Sequence, residues 1–180
     1  YNAMIAPYAV GPMAVSGFTW YQGESDIGGN ENNNYTCTQS AMIKQWRSDF
    51  AVPHAFFAVV QLSTWFTTPA LLAEMRDEQI ARAAEVGAGF AWATNADYGA
   101  GGNVHPPYKQ HVGARLANAA MSIVFGNASI SWRSPSYASA TQLAQHSGNG
   151  EGISVEVKLN DVGAGGLELR DCFNAHTVGN

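Results

Sequence analysis

The sequence predicts an α/β fold with a mostly parallel sheet, followed by a β-rich segment. Three times in the first 125 residues, a short apolar, aromatic-rich run is followed by a polar loop and then by apolar residues at helical spacing. After residue 126 the helical spacing disappears, and serine, asparagine and glycine become frequent. We therefore expect an α/β domain over 1–126 and a β-rich extension over 127–180, the start of an accessory module.

Composition narrows the class of protein. The 180 residues include 46% hydrophobic residues, enough for a packed core, and only 13% charged residues, against roughly 25% in average globular proteins. The net charge is −5 and no cluster of Lys or Arg occurs, which argues against a nucleic-acid partner. No apolar run approaches the ~20 residues that cross a bilayer, so no membrane span is expected.

The first unit predicts a strand over 15–21 and, after a polar loop, a helix over about 37–50. Thr36, with Gln39 three positions later, has the pattern of a capping box at the helix start. Three apolar residues then recur at helical spacing: Met42, Trp46 and Phe50.

The second unit has well-marked ends. Its strand, 55–61, is apolar on both alternating faces, as in a strand covered by helices on both sides. The helix that follows is predicted to begin with Thr68 as N-cap and Pro69 in its first turn, and to end at Gly87.

The third unit contains a glycine-rich loop. A strand over 89–94 leads into the loop 95–104, and an amphipathic helix follows Pro106-Pro107 and ends before Gly126. Three strands are too few for a doubly wound sheet, so the remaining strands are expected upstream of Tyr1. The start at Tyr1 without a leader likewise favours an internal piece of a longer precursor.

The tail has a strand pattern instead of a helical one. Residues 153–159 alternate between apolar and polar side chains, which predicts a half-buried strand. The turn-prone residues 160–165 come next, and 166–170 is a candidate hairpin partner for that strand.

Ligands bind at the carboxyl ends of the strands in an open parallel sheet, and three polar loops fall on that edge: 22–26, 61–63 and 95–105. His105 ends the last loop, precedes two prolines and is suited to general base catalysis near neutral pH. The alternative is a structural histidine that caps the next helix. The other histidines lack such a setting and are interpreted as surface or packing residues: His54, His111, His146 and His176.

The loop after the first strand is a candidate oxyanion site. Gln22 and Gly23 can offer a side-chain amide and a backbone N–H, and one such donor contributes roughly 3 kcal/mol. Glu24 can anchor the loop. The alternative is a polar turn that closes a strand. Ser25 is a poor nucleophile candidate, because Ile27 stands where a Gly-x-Ser-x-Gly elbow requires glycine.

Gln61 and Trp65 are candidate substrate-binding residues, since an exposed Trp65 ring in this loop can stack on a sugar. The remaining tryptophans of the strands are predicted to lie in the core.

Cysteine usage and sequons indicate the compartment. Cys37 and Cys172 are far apart and lack zinc-site spacing, so neither a metal nor another cofactor is expected. Asn34 and Asn127 begin glycosylation sequons. Together with the even cysteine count, they favour a secreted or lysosomal glycoprotein.

Five segments occur in a fixed order: Tyr1-Asn2-Ala3-Met4-Ile5-Ala6-Pro7, Trp20-Tyr21-Gln22-Gly23-Glu24-Ser25, Trp46-Arg47, Arg76 with Gln79, and Val104-His105-Pro106 with Lys109. Together they resemble the sialate O-acetylesterases of the SGNH-hydrolase superfamily, over about 1–126. The resemblance implies a three-layer α/β/α, flavodoxin-like domain that hydrolyses acetyl esters on sugars. It implies a serine nucleophile, a histidine base and no metal.

By position in that family, His105 matches the catalytic histidine, and the Gln22-Gly23-Glu24 loop matches the block that supports the oxyanion. The family's nucleophile lies in an N-terminal Gly-Gln-Ser-Asn-type segment that this chain lacks. An upstream segment of the same precursor is therefore the expected partner, together with an O-acetylated sugar substrate. Relatives often place an aspartate three residues before the histidine, where this chain has Gly102, which leaves Asp97 or Glu24 as the third triad member.

Animal members of the family are processed into two pieces, which implies that this chain is the downstream piece. Cys37 and Cys172 then pair with each other or with the upstream segment, and the sequence leaves the choice open.

Three other functions stay open. An acetyl-xylan-type esterase is the nearest enzymatic alternative. A non-catalytic glycan-binding or structural extracellular protein is favoured by the absent nucleophile and by Gly102. A self-contained triad of Ser25, His105 and Asp97 predicts esterase activity in this chain alone.

Overall fold

Three strands of the first half form a parallel sheet in the order β1-β2-β3. They are β1 (Gly17–Trp20), β2 (Phe56–Gln61) and β3 (Phe90–Thr94). Five helices accompany them: α1 (Ala6–Val10), α2 (Tyr35–Asp49), α3 (Pro69–Glu78), α4 (Ala83–Val86) and α5 (Lys109–Ile123). The computed structural model describes residues 1–11, 13–28, 34–143, 153–163 and 165–167. No helix in these ranges is long and apolar enough to cross a membrane.

Helices cover both faces of the sheet. Phe57 and Val59 of β2 pack against residues of α2 and α4 on one face. Ala58 and Val60 point to the other face and pack against α5. Because successive side chains of a strand point to opposite faces, this arrangement explains why β2 is apolar throughout. The predicted α/β/α architecture with a parallel sheet is confirmed.

The start of α2 differs from the prediction. Asn34 is the N-cap, and its side-chain oxygen accepts a hydrogen bond from the backbone N–H of Cys37 at 3.0 Å. The predicted capping box of Thr36 and Gln39 is wrong. Gln39 is buried instead, and its amide nitrogen donates to the carbonyl oxygen of Gln79 at 2.7 Å.

The single helix predicted after β2 is two helices. It begins as expected, with Thr68 as N-cap and Pro69 in the first turn, and α4 ends at Gly87, which has a left-handed φ of 79°. Between α3 and α4 the chain leaves the helical path over 79–82. Gln79, at the start of this break, is 1% exposed and points its side chain to the ends of the strands.

The chain divides into two compact units, Tyr1–Arg133 and Ser134–Asn180. In the second unit, β4 (Ser136–Gln142) pairs antiparallel with β5 (Val155–Asn160). The strand predicted over 153–159 is present for most of its length as β5, but it is not half-buried, because Val155 and Val157 are 53% and 55% exposed. The suggested partner over 166–170 has no strand at 166–167, and 168–170 lie outside the described residues. β4 takes that place.

Candidate active site

The loop after β1 is fixed by an unusual backbone at Gly23, which is buried and has a φ of 143°. Only glycine adopts this conformation readily. The next residues, Glu24–Asp26, form a short 3-10 turn, in which the N–H of Asp26 donates to the carbonyl oxygen of Gly23 at 3.0 Å. Ser25 is exposed in this turn.

Gln22 is held at its backbone and at its side chain. Its carbonyl oxygen accepts from the Tyr35 hydroxyl at 2.9 Å and from the Gln79 amide nitrogen at 3.0 Å. Its own amide nitrogen donates to Asp26 Oδ2 at 2.6 Å. An amide nitrogen has two N–H groups, and the second one has no partner among the described residues. Beside these residues lies a cavity of about 250 Å³, lined in part by Trp20 and Tyr35.

Burial raises the pKa of the Tyr35 hydroxyl, although hydrogen bonds from Trp20 and Gln79 oppose the shift. The hydroxyl therefore stays protonated, and it can donate to Gln22 throughout the neutral range.

Two residues of the family motif hold the end of β2. Arg76 Nε donates to the carbonyl oxygen of Leu62 at 2.7 Å, and the N–H of Leu62 donates to Gln79 Oε1 at 3.1 Å. Gln61, a candidate substrate-binding residue, donates from its amide nitrogen to the carbonyl oxygen of Arg76 at 3.0 Å. Its nitrogen thus has a structural partner.

Trp65 is partly buried against the core. It packs on the buried cluster that contains Leu62 and Leu72, and its ring nitrogen is buried. The neighbouring Phe66 is 84% exposed. The sequence did not predict which of the two rings is exposed, because the turn that decides this has no clear sequence signal.

Asn95 follows β3 directly and is fully buried. Its N–H donates to the carbonyl oxygen of Gln61 at 3.1 Å, and its side-chain nitrogen donates to the Tyr21 hydroxyl at 3.0 Å. Lys109 Nζ lies 4.3 Å from the centre of the Tyr21 ring. The sequence analysis gave Asn95, Tyr21 and Lys109 no individual role. Their positions, at or near the carboxyl edge of the predicted sheet, could have indicated that they belong to the site.

Asp97 makes its contacts to Arg115, not to His105. Arg115 Nη1 and Nη2 donate to the two carboxylate oxygens at 2.7 and 2.6 Å, and Nη1 also donates to the carbonyl oxygen of Thr94 at 2.7 Å. Burial raises the pKa of the Asp97 carboxyl, but the hydrogen bonds and charge of Arg115 outweigh it, so the pKa lies below its usual value.

His105 is exposed at the end of the glycine-rich loop. Its backbone N–H donates to Asn103 Oδ1 at 2.8 Å, and the next residue, Pro106, is fully buried. Its imidazole forms no hydrogen bond with another residue of the described part of the chain. The N-cap of α5 is Tyr108, so the alternative interpretation of His105 as a helix cap is wrong.

Of the other candidate histidines and cysteines, two histidines and one cysteine lie in the described residues. His54 is exposed, and His111 stacks on Tyr98 with ring centroids 3.8 Å apart. Cys37 is exposed. His146, His176 and Cys172 lie outside the described residues. Within those residues, no group of three His, Cys, Asp or Glu side chains is placed to hold a metal ion.

The two sequons differ in their surroundings. Asn34 is exposed but caps α2 with its side-chain oxygen. Asn127 follows α5, and its side-chain oxygen accepts from the backbone N–H and the hydroxyl of Ser129 at 3.1 and 2.6 Å.

The parallel sheet with helices on both faces, and with His105 and the Gln22-Gly23 loop at its carboxyl edge, is consistent with the fold of SGNH-type hydrolases. Residues 1–122 match the sequence profile described as carbohydrate esterase, sialic acid-specific acetylesterase, and the chain belongs to this family.

Relatives with known names agree with this assignment. The chain is 28% identical over 165 residues to the sialate O-acetylesterases of Homo sapiens and Pongo abelii, a match covering 75% of this chain and 29% of theirs. A crystal structure of a carbohydrate acetylesterase from Xanthomonas citri superposes with a TM-score of 0.65 and 29% identity, covering 79% of this chain and 33% of that one. The chain thus spans about a third of the length of these relatives.

Proposed function

We propose that this chain is part of a carbohydrate O-acetylesterase that works by serine–histidine acyl transfer, with His105 as the general base. The observation that carries the proposal is the family match over 1–122, which includes His105 and the Gln22-Gly23 loop. Both belong to loops at the carboxyl edge of one sheet. The imidazole is exposed and forms no hydrogen bond with a described residue, so it is available to a serine hydroxyl.

The nucleophile belongs, in this proposal, to a segment upstream of Tyr1. The chain covers 29% and 33% of its relatives, and Ser25 lacks a nucleophile elbow. An upstream strand has a place to bind, since the outer edge of β1 pairs with no other strand of the described residues.

The reaction follows from these positions. The serine oxygen attacks the acetyl carbonyl carbon while His105 accepts the serine proton. The carbonyl oxygen becomes an oxyanion, to which the Gly23 N–H and the remaining N–H of Gln22 donate. His105 then gives its proton to the sugar oxygen as the ester bond breaks. A water molecule, deprotonated by His105, cleaves the acetyl-enzyme, and acetate and the free serine result.

Asp97 acts in this proposal as a positioning residue. Its carboxylate is engaged by Arg115, which also binds the carbonyl oxygen of Thr94. These bonds fix the start of the loop that carries His105. Glu24 is the other carboxylate candidate for orienting the histidine, because it follows Gly23 in the oxyanion loop.

The substrate in this proposal is an O-acetylated sialic acid or related sugar, as the names of the family and of the relatives suggest. Acetyl-xylan is the alternative ester. A non-catalytic glycan-binding protein is the alternative from another class, and it predicts that no serine turn of the Gly-x-Ser-Asn type precedes Tyr1.

Passage through the secretory pathway, to a secreted or lysosomal location, is part of the proposal. It is supported by the two sequons. Asn127, in a loop after α5, is the better glycosylation candidate, because Asn34 caps a helix. The pairing of Cys37 and Cys172 stays a prediction.

The test is acetate release by the chain expressed with its upstream coding sequence, assayed on O-acetylated sialosides and on acetyl-xylan. We expect sialosides to be cleaved and His105→Ala to lower kcat at least about 100-fold. His54→Ala is the matched control, since His54 is exposed and precedes β2, at the opposite edge of the sheet. An inactive intact protein, or full activity of a folded His105→Ala variant, contradicts the proposal.

A further inference from the structure

Phe66 is turned into solvent by a tight turn in the loop after β2. The N–H of Thr67 donates to the carbonyl oxygen of Trp65 at 2.8 Å, so the backbone folds closely around Phe66. Trp65 packs partly buried against the core, and Phe66 is left 84% exposed. An exposed single aromatic ring is common on protein surfaces, so its placement has to supply the argument.

The ring of Phe66 lies on Gly102, three residues before His105. A Cβ at Gly102 would overlap the ring, and a Cβ at Gly99 would overlap the side chain and carbonyl group of Thr64. Neither glycine has a positive φ, unlike Gly101 between them. These two glycines are therefore needed for close approach, and they let the loop after β2 pack directly on the loop of His105.

We infer that Phe66 is a specificity-determining residue, an aromatic platform on which the sugar ring of an acetylated substrate stacks. This inference rests on the proposed esterase function and adds a substrate contact to it. The sugar oxygen must lie near His105 to receive its proton. The ring on Gly102 is within three residues of that histidine and faces solvent, so a pyranose attached to the acetyl group can cover it.

Stacking on a flat apolar face suits a sugar, since the C–H groups of a pyranose form an apolar surface while its hydroxyl groups remain in water. A small acetyl ester without a sugar has no such surface. The platform therefore predicts a difference between two substrates, which a purely structural role of Phe66 does not.

The experiment compares an O-acetylated sialoside with 4-nitrophenyl acetate, using the protein expressed with its upstream coding sequence. For Phe66→Ala we expect the KM for the sialoside to rise about tenfold. We expect kcat/KM for 4-nitrophenyl acetate to change less than about twofold, and Phe66→Trp to keep the sialoside KM within about threefold. Phe125→Ala is the matched control, because Phe125 is 72% exposed and follows the far end of α5.

An unchanged sialoside KM in Phe66→Ala, or an equal loss of activity on both substrates, would contradict the proposal that Phe66 stacks on the sugar. Urea unfolding of Phe66→Ala should match the wild type, because so exposed a ring contributes little burial. If the wild type hydrolyses neither ester, or does so independently of His105, the proposed function fails instead.

Discussion

The side-chain nitrogen of Gln79 donates a hydrogen bond to the backbone carbonyl oxygen of Gln22 across 3.0 Å, although the two residues are 57 positions apart. The oxygen of the same amide accepts from the N–H of Leu62. One buried side chain thus joins the ends of β1 and β2. The conformation of the loop after β1 depends on this amide, because water cannot replace either bond at a residue that is 1% exposed.

Gln79→Glu is expected to destabilise the protein by about 3 kcal/mol at pH 7, because a buried carboxylate cannot donate to Gln22 and faces its carbonyl oxygen. The introduced group titrates with a raised pKa in the folded state. The lost stability should therefore return as the pH falls toward about 4, the range in which Glu is protonated in the unfolded chain.

Urea unfolding of this variant at pH 4 and pH 7 measures both effects. Gln110→Glu is the control, since Gln110 is exposed in the first turn of α5, where an acidic residue is tolerated. Equal stability of Gln79→Glu and wild type at pH 7 would show that the amide is replaceable.

The hydrogen bonds of the Gln79 side chain are an example of what could not be predicted from the sequence. Strand and helix positions were predictable because apolar spacing and the signals at Thr68, Pro69 and Gly87 act locally. The break after α3 was not, because it follows Gln79, the C-cap of α3, whose side chain is held by Gln22 and Leu62, which lie far away in the sequence. Tertiary hydrogen bonds of this kind override local propensity.

For the candidate site, the location of the loops was predictable from the sequence, but the side-chain contacts were not. Topology placed His105 and the Gln22-Gly23 loop on one edge, since the carboxyl ends of parallel strands always meet. The hydrogen-bond partners of these side chains could not be predicted. Asp97 lies close to His105 in the sequence, yet its carboxylate accepts hydrogen bonds from Arg115 of the next helix. The exposure of Trp65 also depended on one turn, which leaves its ring partly buried against the core and the Phe66 ring 84% exposed.

Arg47→Lys is expected to cost about 2–4 kcal/mol. Arg47 is 5% exposed, and burial lowers the pKa of its guanidinium. Nε and Nη2 donate to the carbonyl oxygen of Ala55 at 3.0 and 2.8 Å, and Nη2 also donates to that of Ala88 at 3.0 Å. Nη1 donates to the carbonyl oxygen of Val86. Lysine has one ammonium nitrogen in place of the three guanidinium nitrogens, so it cannot bind all three carbonyl oxygens at the same time.

Thermal unfolding checks this prediction, with Arg82→Lys as the matched variant. Arg82 pairs with Glu85 on the surface, where such a change is worth less than about 0.5 kcal/mol. A loss for Arg47→Lys no larger than that for Arg82→Lys would mean that the carbonyl groups find other donors.

Asp97→Asn is expected to lower stability by about 0.5–1 kcal/mol at pH 7, the range for partly exposed ion pairs. The folded-state pKa of Asp97 lies below its usual value, so its stabilising contribution is present above the unfolded pKa of about 3.9 and is lost as the pH falls through the folded value. Wild type and variant should therefore converge in acid. Unfolding midpoints between pH 2 and pH 7 measure this convergence, and a constant difference across that range would contradict it.

Gly99→Ala is expected to destabilise the protein more than Gly102→Ala. The new methyl group at 99 would meet the backbone carbonyl of Thr64, which cannot move without the strand end. At 102 the methyl group would meet only the far atoms of the Phe66 ring, which can rotate away.

The two variants should therefore differ in a double-mutant cycle with their neighbours. Phe66→Ala should relieve most of the cost of Gly102→Ala. Thr64→Ala removes the hydroxyl but leaves the carbonyl, so Gly99→Ala should stay destabilised by about 1–3 kcal/mol in that background. Urea unfolding of the single and double variants measures both couplings, and relief of Gly99→Ala by Thr64→Ala would place the close contact on the side chain instead of the backbone.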